Sequence, residues 1–192
     1  MLRPRFKIVL LMVCLLAACK MRPPEKRNDV MNLIVTYNQA GRHDDAIKVA
    51  QDWMKNHPDD LLYDQIAITY LMKASKDSAH KDQWIQQAIV NYEKDLSTRK
   101  KATVDVELYE VGRGFEYAGD LSSHDSCLYY SRAMKAFVEE VQFIQGDSYT
   151  AYGHTTRLAP VRQENQKALE RVKSKFDRAG CKAESSQSSS PV

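Results

Sequence analysis

Glycine and proline are scarce in this chain, seven and six of its 192 residues. No stretch alternates β-branched with polar residues over the length of a strand; the longest candidate, Val104 to Val111, fits a helix face equally well. A sheet protein needs turn residues between its strands and that alternation within them, so both absences speak against one. No apolar run approaches the roughly 18 to 20 residues required to cross a bilayer. No basic run is longer than Arg99-Lys100-Lys101, which argues against nucleic acid, whose binding rests on many clustered phosphate contacts. The histidines His43, His57, His80, His124 and His154 form no His-Glu-x-x-His frame and no paired metal spacing, so no metal ligand set is read from them. Gly112-Arg113-Gly114 lacks the strand, third glycine and lysine of a phosphate loop. His124-Asp125-Ser126-Cys127 sets a nucleophile type beside a base type, but neighbouring residues of one helical turn point to different sides. It reads as a helix start with Ser122 or Ser123 as the cap.

What is present is the helical period. Ala46, Val49, Ala50, Trp53 and Met54 recur at three and four residue intervals, as do Trp84, Ile85, Ala88, Ile89, Tyr92 and Leu96. The pattern predicts an all-α fold with helices at 29–40, 43–56, 59–75, 80–97, 103–118, 123–145 and 159–180. Pro58 follows the second and Pro160 opens the last, both where proline is tolerated. Turns this short force antiparallel helix pairs. Gln145 to Thr156, with Tyr149, Tyr152 and His154, is left as a polar aromatic loop longer than a hairpin connection needs.

The ends differ from this body. Arg3, Arg5 and Lys7 precede an apolar run from Ile8 to Leu16, the order of parts of a secretory signal peptide. Leu16-Ala17-Ala18-Cys19 resembles the lipobox of bacterial lipoproteins. That resemblance implies removal of residues 1–18, diacylglycerol on the sulfur of Cys19 and acylation of its new amino terminus. Two or more acyl chains hold a protein on a membrane stably where one does not. The signal also carries the whole excess of the formal charge of +3, so the chain from Cys19 onward has equal numbers of acidic and basic side chains. Residues 19–28, polar and containing Pro23-Pro24, have the composition of a stiff tether. The body occupies 29–181, and the serine-rich tail, 182–192, cannot bury a core.

The helix pairs resemble tetratricopeptide repeats. Leu33, Tyr37, Gly41, Ala46, Ala50 and Pro58 fall at that family's spacings, and so do Leu108, Gly112, Phe115, Gly119, Ser126, Tyr130 and Ala133 once two extra residues are allowed in the turn. Tyr63, Ile66, Ala67, Tyr70, Ala88 and Tyr92 fit a middle pair whose turn, around Lys76 to Asp82, is longer than the pattern. Ala159 to Gly180 then reads as a capping helix for a short solenoid. With Cys14 lost in the signal and Cys19 taken by lipid, Cys127 and Cys181 remain for an oxidising compartment. If the sixth and seventh helices are antiparallel, the two lie at one end of the pair, within reach of a disulfide.

By register, the repeat resemblance implies a groove for a peptide or partner segment. It would be lined by Asn28, Met31, Val35, Asn38 and Gln39, then by Asp64, Ile68 and Met72, then by Tyr109, Arg113, Glu116 and Tyr117. No catalytic constellation and no cofactor is read from the chain. The reading is a lipid-anchored, non-catalytic scaffold of the bacterial cell envelope that binds another envelope protein, with no small-molecule substrate. Lys20 after the lipidated cysteine points by resemblance to the outer membrane, facing the periplasm. A structural accessory subunit without a groove, and a helical enzyme acting on the cell wall, stay open beside it.

Overall fold

In a computed structural model the described residues are 26–98, 106–144, 146–151 and 154–182. Cys19 with its signal, and the tail beyond residue 182, lie outside them. The helices are α1 (Arg27–Gln39), α2 (His43–Asn56), α3 (Tyr63–Ala74), α4 (Lys81–Thr98), α5 (Val106–Leu121), α6 (Ser126–Phe143) and α7 (Leu158–Arg178). Between α6 and α7, β1 (Ser148–Ala151) pairs antiparallel with β2 (His154–Arg157), Ser148 opposite Arg157 and Ala151 opposite His154. The body is thus helical, as its periodicity predicts, and the expected loop is corrected to a short hairpin. Four residues per strand, Ser-Tyr-Thr-Ala and His-Thr-Thr-Arg, are too few to show alternation in sequence, although threonine and tyrosine favour strands. No described helix is long and apolar enough to cross a membrane.

Each helix packs on the next, and α1 also meets α3, α3 meets α5 and α5 meets α7. Side-chain pairings give the directions. Gly112 faces Phe137 and Gly119 faces Tyr130, so α5 and α6 run antiparallel. Tyr109 pairs with Glu164, Glu116 with Arg171 and Asp120 with Lys175, each 55 residues apart, so α5 and α7 run parallel. One apolar cluster joins α1, α2 and the start of α3 around Val30, Ile34, Ala50 and Ile66; another joins α3 to α7 around Leu71, Tyr92, Phe115, Phe137 and Val172, and Tyr70 packs against both.

Local chemistry sets the ends. Gly41 (φ 73°) closes α1 and Gly180 (φ 71°) closes α7 in the left-handed conformation that glycine adopts without penalty. In both places the residue after the glycine reaches back to a carbonyl of the last turn, Arg42 to Tyr37 and Cys181 to Phe176. The second of these positions Cys181, which is bonded to Cys127 at the start of α6 with a Cα separation of 5.5 Å. The long turn between α3 and α4 is organised by Asp77. Its Oδ1 accepts from the backbone N–H groups of Ala79 and His80, and its Oδ2 lies within hydrogen-bonding distance of His80 Nδ1 and accepts from Trp84 Nε1. Those bonds, Trp84's foremost, hold its carboxyl below the usual range. Ser122 Oγ accepts from the N–H groups of His124 and Asp125 and so orders the turn before α6; the N-cap position itself is Asp125, with no side-chain cap bond, which corrects the expectation of Ser122 or Ser123 as the cap.

A buried polar chain crosses α1, α2 and α3. Thr69 Oγ1 donates to the Gln65 carbonyl (2.7 Å) and accepts from Asn38 Nδ2 (2.9 Å), while Asn38 Oδ1 faces His43 Nδ1 (3.1 Å). The amide oxygen is an acceptor, which places the imidazole proton on Nδ1. Nε2 is buried with no hydrogen-bond partner. Burial, then Lys76 and Lys73, lower the His43 pKa below 6.5, with Asp44 opposing. The unfolded chain therefore takes up the proton first. This contribution to stability is complete above pH 6.5 and declines as the pH falls from there toward the lowered folded value. Urea midpoints measured between pH 7.5 and 5.5 should fall with acidity, and His43→Asn, which keeps a donor toward Asn38 and cannot titrate, should flatten that part of the profile.

Candidate binding cleft

The parallel helices α3, α5 and α7 leave an open cleft of about 580 Å³, within the size range of ligand sites. Helix α5 forms its centre because Tyr109, Arg113 and Tyr117 recur every four residues and share one face. Ile68 and Leu71 of α3 form one wall, and Glu164, Arg171 and Lys175 of α7 the other.

Most charges in the cleft are already matched. Glu116, only 7% exposed at its side chain, accepts Arg171 Nε at 2.8 Å and Nη2 at 2.7 Å, and its Oε1 lies 2.7 Å from Lys175 Nζ. Lys175 also donates to Asp120 Oδ2 at 2.6 Å, and the Tyr130 hydroxyl donates to Asp120 Oδ1 at 2.9 Å. Burial would raise the Glu116 carboxyl pKa, but the hydrogen bonds from Arg171 and Lys175 outweigh it and bring it below 4.5. Burial, and then the bond to Asp120, push Tyr130 up to about 12. This ladder is a structural strut across α5 and α7. Bidentate guanidinium on carboxylate fixes both groups in orientation, so neither is loose to seek a ligand.

Arg113 is different. It is exposed, lines the cleft, and makes no hydrogen bond or ion pair among the described residues. Beside it Tyr117 is 37% exposed and Ile68 39%, among the few large apolar side chains so presented. The Tyr109 hydroxyl donates to Glu164 at 3.2 Å, and burial, then that bond, raises its pKa. A cation without a partner, in a cleft that also presents an aromatic and an aliphatic side chain, can hold a carboxylate or carbonyl while apolar groups settle against those side chains.

Of the residues expected in a groove, Ile68, Tyr109, Arg113, Glu116 and Tyr117 line this cleft. Asn28 and Gln39 are exposed on α1, Val35 is 46% exposed, and Met31 packs partly buried on the core of α1 to α3. Asn38 is 5% exposed and turned inward to Thr69 and His43, so its side chain serves the core. Asp64 is half-buried and accepts from Gln65, and Met72 is half-buried on α3. Arg171, Lys175, Glu164 and Asp120 were missed by sequence reasoning. Their signal was available: Glu116 and Asp120 on one helix, Arg171 and Lys175 on another, each four apart, are complementary rungs once two helices run parallel. Among the described residues no group of three His, Cys, Asp or Glu side chains is placed to hold a metal ion.

Fold and cleft together define a protein of packed neighbouring helices, with one short hairpin, and an open polar and aromatic cleft along α3, α5 and α7. No family model matches the chain, and neither curated proteins nor solved structures include a significant match.

Proposed function

We propose that this chain is a lipid-anchored, non-catalytic interaction scaffold of the bacterial cell envelope. In this reading it is a short tetratricopeptide-like stack that holds a peptide segment of another envelope protein in its cleft. The observation that carries it is the exposed Arg113 in a cleft it shares with the exposed Tyr117 and Ile68, without an ion-pair partner among the described residues. The contacts of α1 with α3, α3 with α5 and α5 with α7 support a repeat arrangement, and the close approach of Gly112 and Gly119 to aromatic rings of α6 supports repeat-like packing. The anchor rests on Leu16-Ala17-Ala18-Cys19, and the outer-membrane destination on Lys20. The ion-pair ladder favours one alternative, an accessory subunit whose internal charges brace it and whose cleft is not used.

One experiment separates these readings. The full-length protein is produced in a bacterium and its mass measured beside Cys19→Ala; the proposal expects a chain beginning at Cys19 and heavier by its acyl groups, lost in the variant. The folded protein is then panned against a random peptide library. Selected peptides should bind Arg113→Ala and Tyr117→Ala on the order of tenfold more weakly, the loss typical of an interface anchor. Equal binding to both variants would leave the accessory reading.

A further inference from the structure

At Tyr109 and Glu164 the cleft meets a smaller open pocket of about 250 Å³, lined also by Glu140 of α6 and by Pro160, Val161 and Asn165 of α7. Most of these residues are polar, yet the surface they present to the space is almost wholly apolar. The reason is where their polar atoms lie. The carboxylate of Glu140 and the amide oxygen of Asn165 have no accessible surface, and Asn165 Nδ2 donates to the Val161 carbonyl at 3.1 Å. The Tyr109 hydroxyl donates to Glu164 at 3.2 Å. Hydrocarbon in this space therefore strips water from almost no polar group, whereas a charged group would lose its own water there and gain little.

The pocket lies close to the unpaired cation of the cleft. Tyr109 and Arg113 are one turn apart, about 6 Å along α5. Burial, then Glu164, raise the pKa of the Tyr109 hydroxyl, and Arg113 is near enough to oppose them. Alternate side chains of an extended chain share a face at intervals of about 6.6 Å. A segment that sets a carboxylate on Arg113 thus brings the side chain two residues away to Tyr109 and the pocket beside it. Two turns of helix, about 10 Å across and about 11 Å long, would occupy roughly 850 Å³, more than the cleft's 580 Å³, so the slimmer extended chain is the better fit. The pocket itself is below the roughly 300 Å³ at which whole ligand sites begin and suits one side chain.

We infer that this pocket is the anchor subsite for one large apolar side chain of an extended segment whose acidic residue, two positions away, is held by Arg113. The subsite rests on the peptide reading of the cleft and narrows its ligand to a pattern: an acidic residue, one residue of any kind, and a large apolar residue, in whichever chain direction the cleft accepts.

Dye-labelled pools of short peptides, randomised except at two fixed positions, are titrated with the full-length protein at pH 7, and binding is read by fluorescence anisotropy. The pool fixed as Asp-x-Leu, or its reverse Leu-x-Asp, should bind on the order of tenfold more tightly than the same pool with Asn for Asp, the loss typical of an interface anchor. It should bind at least about tenfold more tightly than the pool with Ala for Leu, as when an apolar pocket loses methylene groups. Pools with the fixed residues four apart, the spacing of a helical ligand, should bind no better than the Asn and Ala pools. Val161→Phe, which fills the pocket from the start of α7, should abolish the leucine preference and keep the aspartate preference; Arg113→Ala should do the opposite. Equal binding of the Leu and Ala pools, or a preference for the wider spacing, overturns the subsite and leaves a peptide cleft in place. Because both comparisons are made on the parent protein, they decide even where Val161→Phe is unstable. Binding of no pool, with no peptide selected by panning, removes the cleft reading and the subsite with it, so the two failures are told apart.

Discussion

Replacing both Cys127 and Cys181 with serine should lower the free energy of unfolding by about 4 kcal/mol, the chain-entropy value for a loop of this length. The bond joins positions 54 apart in sequence and is the one cross-link between α6 and α7 among the described residues. Without it the unfolded chain regains the freedom of that loop, while the folded state loses the tie between the start of α6 and the end of α7. For a protein of this size each kcal/mol moves the melting temperature by roughly 2 to 4 °C, so the variant should melt on the order of 10 °C lower. Reductant should reproduce that shift in the parent protein and do nothing further to the variant. A parent protein indifferent to reductant would mean that the bridge contributes nothing to stability.

Gly114→Ala should be nearly as damaging, by about 3 kcal/mol, the upper end of ordinary overpacking. The methyl group would overlap the Tyr92 ring, which is 1% exposed and packs obliquely on Phe115 at 5.6 Å between centroids. A ring so fully buried and packed on Phe115 has no free space to swing into. Gly112→Ala and Gly119→Ala bring the methyl 2.6 Å from Phe137 Cε1 and 2.5 Å from Tyr130 Cε1, and should also destabilise. Urea midpoints decide the matter, and Tyr92→Leu combined with Gly114→Ala should recover part of the loss by vacating the space. A Gly114→Ala protein as stable as its parent would show that α4 and α5 are further apart than described here.

Glycine at 112 was legible in the sequence because it falls in a repeat spacing; glycine at 114 was not. Its partner Tyr92 stands on another helix, and only the register of α4 against α5 brings them together. The helices themselves were readable where one face is plainly apolar. Helix α2 lies over 43–56 as expected, although Ile47 rather than Val49 is buried with Ala46, Ala50 and Trp53. Where the pattern is diluted by polar residues, boundaries drifted: the third helix begins at Tyr63 instead of 59, and the fifth reaches Leu121 instead of 118. The cleft was half legible. Its α5 face follows from four-residue spacing, but its α7 wall joins residues 55 apart, and a parallel pairing at that distance leaves no mark in local periodicity. The hairpin of 148–157 escaped because two strands of four residues carry too little pattern.

Every substantial helix contact joins neighbours or next neighbours along the chain. A polypeptide delivered amino end first can therefore consolidate as it arrives: α1 and α2 dock, α3 seals their shared cluster, and each later helix finds its place already formed. Such short-range topology folds quickly, since little loop entropy stands before each contact. The exception is the last step. Glu116 and Asp120 must wait for Arg171 and Lys175, and Cys127 for Cys181, so half of the cleft's wall and its covalent clasp arrive together with the final helix. A chain interrupted before residue 171 would carry a folded amino-terminal half and no finished cleft, which ties the presence of a binding surface to the completion of synthesis.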